Sequence, residues 1–168
     1  LVLSAVLFAA AFPNVLNVWG FFPLAFICIA PLFIVVRSSG WVRIFFYGIL
    51  YGYGSYALFN YWLSTFHPLA IVIVPVIYAS YFLILVPALK LADKLFPRFG
   101  FLVQAGLWIA YEYLRTLGFL GYPYGNLGYS QFLFRPFIQI SSVFGFWFIS
   151  LMVVLPSAFL GNALKNGF

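Results

Sequence analysis

Long apolar runs without a charge constrain this chain more than any other feature. Residues 15–36, 44–66 and 68–89 each pass without one Asp, Glu, Lys, Arg or His. A bilayer span needs about 20 such residues, about 30 Å at 1.5 Å per residue. A fourth run, 99–117, holds two charges, Glu112 and Arg115, and a fifth covers 136–161. Residues 1–12 are apolar but short. Without an initiator Met or a basic leader they read as a span cut at its start rather than a signal peptide. Continuous rather than alternating polarity argues against a transmembrane β-barrel. The expectation is an all-α integral membrane bundle of about six transmembrane helices. It would be a single polytopic domain over residues 1–168, and it reads as a fragment.

Composition supports lipid as the solvent. Only 6% of the 168 residues are charged, against roughly a quarter in soluble domains. The mean hydropathy is +1.12. One Cys and one His exclude a disulfide framework and a Cys/His zinc site, so no metal and no cofactor are expected. The net charge of +6 is not a nucleic-acid footprint, because the cations do not gather on a polar face. They gather instead by side. Arg37, Arg43, Lys90, Lys94, Arg98 and Lys165 fall on one side of the expected spans, and Arg115 and Arg135 on the other. The positive-inside rule places the first set, and the N-terminal end, in the cytoplasm.

The connection at residues 118–131 differs from the others. It packs Gly118, Gly121, Gly125 and Gly128 among aromatics around Pro123. That is too broken for a helix and too apolar for an open loop. Irregular backbone at membrane depth persists where protein buries it or where it lines a wet cavity. An interfacial loop with its tyrosines in an aromatic belt is the simpler alternative. Just before it, Glu112 and Arg115 sit three apart on one helix face, Glu112 about 18 Å along the span. Ionisable groups at that depth mark a site or a partner. The two form either an internal pair that orients helices or a headgroup contact, with Glu112 fixing the Arg115 fork on a lipid phosphate.

Other residues weigh less. His67, before Pro68, reads as a polar end-cap to a span, and Cys28 as a buried inert thiol. Gly48-x-x-x-Gly52 is a close-packing helix face. Asp93, among Lys90, Lys94 and Arg98, reads as a solvated loop residue. No nucleophile, base and orienting group can be assembled from the sequence.

Trp108-x-x-x-Glu112-x-x-Arg115, then Gly121-Tyr-Pro-Tyr124, then Gly128-Tyr-Ser-Gln131 resembles the membrane part of apolipoprotein N-acyltransferase. That family shows Trp, Glu-x-x-Arg, Gly-Phe-Pro-Trp and Gly-Tyr-Ser/Thr-Gln in this order. The departures, Tyr122 for Phe and Tyr124 for Trp, keep an aromatic. Ala11-Phe12-Pro13, Gly48, Gly52 and Trp62 match more weakly. The resemblance implies a bacterial inner-membrane enzyme. Its partners would be a phospholipid acyl donor and a diacylglyceryl-modified apolipoprotein, whose α-amino group accepts the acyl chain. In the family a nitrilase-like domain with a Cys nucleophile follows the membrane helices, so the resemblance implies that residues 1–168 are the N-terminal part of a longer protein and that this chain alone is inactive.

The residues fit a part that admits lipid. Tyr122, Tyr124 and Tyr129 offer apolar bodies with polar tips, and Asn126 and Gln131 can orient an ester or amide. A small transporter, or a scaffold attached to a polyprenyl-phosphate mannosyl synthase, remains the alternative. A transporter would usually repeat its halves, and nothing in residues 1–84 echoes the Glu112 to Gln131 pattern.

Overall fold

The computed structural model describes residues 1–119 and 121–166. Among them every regular element is helical. Helix α1 (Val2–Ala11) stops where Pro13 forces Phe12 into an extended conformation, φ −96° and ψ 169°. The apolar run that follows does not form one span. Asn14 and Asn17 divert the backbone: Asn14 Oδ1 accepts from the Leu16 and Asn17 amides, and Asn17 Oδ1 from Trp19. Short amide side chains compete with the helical ladder in this way, so hydropathy alone overstates the helix. A short 3₁₀ segment (Phe22–Phe26) follows, and only then α2 (Ala30–Ser38), with a proline in its first turn.

Helices α3 (Trp41–Phe59) and α4 (Ala70–Leu95) form the most extensive pair in the bundle. Gly48 and Gly52 make that contact possible. A Cβ on Gly48 would stand 2.6 Å from the Phe82 carbonyl oxygen, and one on Gly52 would stand 3.0 Å from Ala79 Cα. Helix α5 (Gly100–Leu114) returns against α4 and against α8 (Phe146–Asn166). Between α5 and α8 lie the loop, a 3₁₀ turn (Leu127–Gln131) and two single-turn helices, α6 (Arg135–Ile138) and α7 (Ser141–Phe144). By length and composition α4 and α8 can each cross a membrane. Large apolar side chains such as Ile73, Val76 and Ile84 on α4 and Leu114 on α5 face outward. Phe8, Phe33, Tyr51, Phe82 and Trp108 fill the centre.

The end of the bundle away from the loop is held by a buried polar cluster. Arg37 Nη1 donates to the Gly161 carbonyl (2.6 Å) and Asn162 Oδ1 (3.0 Å), and Nη2 to Gln104 Oε1 (3.2 Å). Arg37 Nε lies 3.0 Å from Asp93 Oδ1, an ion pair whose N–H is not aimed along the contact. Asp93 is therefore not the solvated loop residue expected from its neighbours. It lies within the last turns of α4, and only 10% of its side chain is exposed. Helix α4 runs several residues past the apolar stretch that announced it, and this carries Asp93 inward. His67 does cap a turn, its Nδ1 accepting from the Leu69 amide.

Candidate functional site

The helix face of Trp108, Glu112 and Arg115 turns inward at the loop end of α5, with Glu112 1% and Arg115 3% exposed. The two charges do not pair with each other. Each reaches into the chain that follows. Glu112 Oε1 accepts from Trp108 Nε1 (3.2 Å) and from the Leu127 amide (2.8 Å). Its Oε2 accepts from Ser150 Oγ (2.7 Å), and that oxygen accepts from the Gly128 amide (3.0 Å). One carboxylate thus ties α5, the 3₁₀ turn and α8 together. Burying it without such donors would be prohibitive.

Gly128 is dictated by this knot. A Cβ there would meet Ser150 Oγ and Phe146 Cε2, both at 2.8 Å. Gly128→Ala is expected to push Ser150 off Glu112 and destabilise the fold by about 1–3 kcal/mol, the usual range for overpacking. A thermal melt that matches the unsubstituted protein would refute the tight fit. Ser150 beside Glu112 has the make-up of a nucleophile and base, but Ser150 is fully buried and its oxygen is spent on the Gly128 amide. It is a strut.

Arg115 caps α5 and gathers the loop around its guanidinium. Nη1 donates to the Tyr78 hydroxyl (3.1 Å) and to the carbonyls of Tyr122 (3.1 Å) and Tyr124 (2.7 Å). Nη2 donates to Asn126 Oδ1. The rings of Tyr56, Tyr78 and Tyr111 surround it, with centroids 5.4–5.5 Å from the guanidinium carbon. Tyr56 stacks flat on Tyr78 at 3.6 Å. The cage is missing from the sequence reading because two of its rings come from α3 and α4. Nothing separates Tyr56 and Tyr78 from the ten other tyrosines. Asn60, one turn after Tyr56, was equally unmarked, and it accepts from the Tyr122 hydroxyl (2.8 Å). Burial pushes the Tyr122 phenol up to about 12, so it stays protonated and donates.

The expected site residues divide into two sets. Glu112, Arg115, Asn126 and Gln131 are buried, and Gln131 Nε2 donates to the Phe22 carbonyl (3.0 Å) and to Ser130 Oγ. Gly121 turns the backbone under the Thr116 carbonyl. Tyr122 is half-buried, whereas Tyr124 and Tyr129 are exposed, and Tyr129 stacks on Phe146. Tyr124, Tyr129 and Pro123 line a cleft of about 670 Å³ with Phe12, Phe59 and Trp62. Cys28 lies elsewhere in the core, its thiol on the Ala25 carbonyl. Among the described residues no cluster of His, Cys, Asp and Glu fits a metal ion.

The model of the apolipoprotein N-acyltransferase N-terminal domain matches residues 4–159, which include this whole constellation. The chain belongs to that family. It is 45% identical over 157 residues to apolipoprotein N-acyltransferase 1 of Treponema denticola, covering 94% of this chain and 29% of that protein. Identity to the corresponding protein 1 of Treponema pallidum is 45% over 153 residues, covering 91% and 28%. The apolipoprotein N-acyltransferase of Borreliella burgdorferi is 31% identical over 170 residues, covering 96% and 32%. The chain thus spans about three tenths of the length of the curated N-acyltransferases it matches. No solved structure matches it.

Proposed function

We propose that this chain is the membrane-embedded, lipid-admitting part of an enzyme that moves an acyl chain from a phospholipid to the α-amino group of a diacylglyceryl-cysteine. The enzyme would sit in the bacterial inner membrane with the N-terminal end of this chain in the cytoplasm. The excess of Arg37, Arg43, Lys90, Lys94, Arg98 and Lys165 over Arg115 and Arg135, counted by connection along the sequence, supports that orientation. The family match over residues 4–159 carries the reading. The cleft gives it a physical form: its wall is aromatic, and rigid rings can line acyl chains while their hydroxyl and indole edges meet ester groups.

Glu112, Arg115, Asn126 and Gln131 then serve lipid binding by holding the loop. Tyr124 and Tyr129 face the substrate from the cleft wall, while Tyr122, held by Asn60, backs the loop behind them. Both lipid substrates arrive laterally from the bilayer, and the chemistry is left to groups outside residues 1–168.

The test uses the full-length protein with phospholipid and a diacylated lipopeptide, followed by mass spectrometry of the product. A triacylated lipopeptide is expected. Tyr124→Ala keeps the carbonyl that Arg115 holds and removes only the ring. It is expected to raise the apparent KM for phospholipid roughly threefold to tenfold, the worth of about 1 kcal/mol of apolar contact. No triacylated product from folded protein would overturn the activity. Unchanged kinetics in a Trp62→Ala, Tyr124→Ala double variant would remove the cleft from the substrate path.

A further inference from the structure

The cleft bordered by Tyr124 and Tyr129 has two unlike ends. At its rim the side chains stand open, Tyr124 55% and Tyr129 47% exposed, with Trp62 half-buried beside them. These rings carry hydroxyl and indole N–H groups. Phe12 and Phe59 line the same cleft but are only 4% and 9% exposed, so they form its floor. The other buried residue on its wall is Gly125, and the floor therefore holds no polar side chain. It is also hard. Phe12 and Phe59 meet edge to face at 4.8 Å, and Phe8 backs them at 5.3 and 5.8 Å. Tyr56 closes on Phe59 at 6.1 Å and is itself fixed by its stack on Tyr78. From the loop, a Cβ on Gly125 would stand 3.2 Å from the Phe59 ring. Rings packed in this way do not make room for another methylene without strain.

We infer that the cleft takes one ester-linked acyl chain of the phospholipid, methyl end inward, and that Phe12 and Phe59 set how long that chain can be. The volume suits one chain. At about 30 Å³ for each water-sized group, about 670 Å³ holds roughly twenty, enough for one chain with its ester but not for two. The second chain of the donor stays in the bilayer. Polarity sets the direction: the ester meets hydroxyl and indole donors at the rim, and the alkyl end meets only carbon at the floor. With the ester held at the rim, a chain that reaches past the floor has no place for its last carbons. One methylene too many is expected to cost about tenfold in transfer. This assignment deepens the acyl-transfer reading and rests on it.

Full-length protein is given a diacylated lipopeptide and an equimolar mixture of phospholipids whose saturated chains lengthen in two-carbon steps. Mass spectrometry of the triacylated product reads the length transferred. The parent is expected to favour one length and to fall about tenfold beyond it. Phe59→Ala and Phe12→Ala deepen the floor and should each move the favoured length up by roughly two to four carbons, whereas Phe59→Trp should move it down. Melting curves match the samples for folded fraction, and Phe59→Leu replaces Phe59→Ala if the latter does not fold. A profile that stays put in all the variants, or that follows the chains of the lipopeptide instead of the phospholipid, would overturn the assignment. A second measurement needs no turnover. Phospholipids carrying a diazirine either at the chain end or beside the ester are photolysed with the protein in nanodiscs, and the cross-links are mapped. The chain-end probe is expected on peptides containing Phe12 and Phe59, and the ester-side probe on those containing Tyr124 and Tyr129. The reverse pattern, or no difference between the probes, would overturn the assignment as well. The expected cross-links without any triacylated product would count against the reaction and leave the chain site standing.

Discussion

Replacing Arg115 with Gln is expected to lower the stability of the full-length protein by about 3–5 kcal/mol, because a buried network loses its centre. Four acceptors lose a donor together: the Tyr78 hydroxyl, the Tyr122 and Tyr124 carbonyls and Asn126 Oδ1. The first sign should be local. Limited proteolysis should cut between residues 118 and 126 well below the melting temperature, and acyl transfer should fall along with loop protection. Arg115→Lys is expected to recover only part of this, since a single ammonium cannot reach both the Nη1 and Nη2 partners. An unchanged cleavage pattern in Arg115→Gln, with a melt within about 0.5 kcal/mol of the parent, would show that the loop holds itself.

Two glycines on α3 should respond to the same substitution with opposite signs. A Cβ on Gly48 would press on the Phe82 carbonyl oxygen at 2.6 Å and the carbonyl carbon at 3.2 Å. Backbone cannot rotate aside, so Gly48→Ala has to spread α3 from α4, at about 3 kcal/mol or more. Gly54 has nothing within 4 Å of such a Cβ. Gly54→Ala should stabilise the helix by about 0.5–1 kcal/mol through lower backbone entropy in the unfolded chain. Thermal melts of the two variants side by side decide the matter. Equal shifts would mean that the close approach at Gly48 is absent.

Local spacing carried much of this architecture. Three-residue and four-residue intervals put Trp108, Glu112 and Arg115 on one face, and all three are buried. Apolar runs located α3, α4 and α5, whereas the run at residues 136–161 begins about ten positions before α8 and takes in the single-turn helices α6 and α7. The run at residues 15–36 misled because hydropathy averages over Asn17 and Gly20 and ignores Asn14 just before it, and their backbone effects outweigh the apolar side chains around them. Partnerships across the bundle were illegible for a different reason. Apart from Trp108, which reaches Glu112 along α5 itself, the acceptors of Arg115 and the donors to Glu112 come from α4, α8 and the loop, brought together only when the helices pack. Arg37 and Asp93 read as two surface charges in separate connections until the end of α4 carries one to the other.

The Arg37 cluster also sets an order of assembly. Its Gly161 partner lies 124 positions later in the chain. At roughly 5–20 residues per second, about 6 to 25 s of synthesis separate the cation from that acceptor. Through that interval Arg37 can meet Asp93 and Gln104 but lacks both acceptors of Nη1, the Gly161 carbonyl and Asn162 Oδ1, so its guanidinium is only partly housed. Helix α8 is therefore the one that lets α2 settle, and ribosome-bound chains ending before Gly161 should keep Arg37 open to reagents that the finished protein excludes.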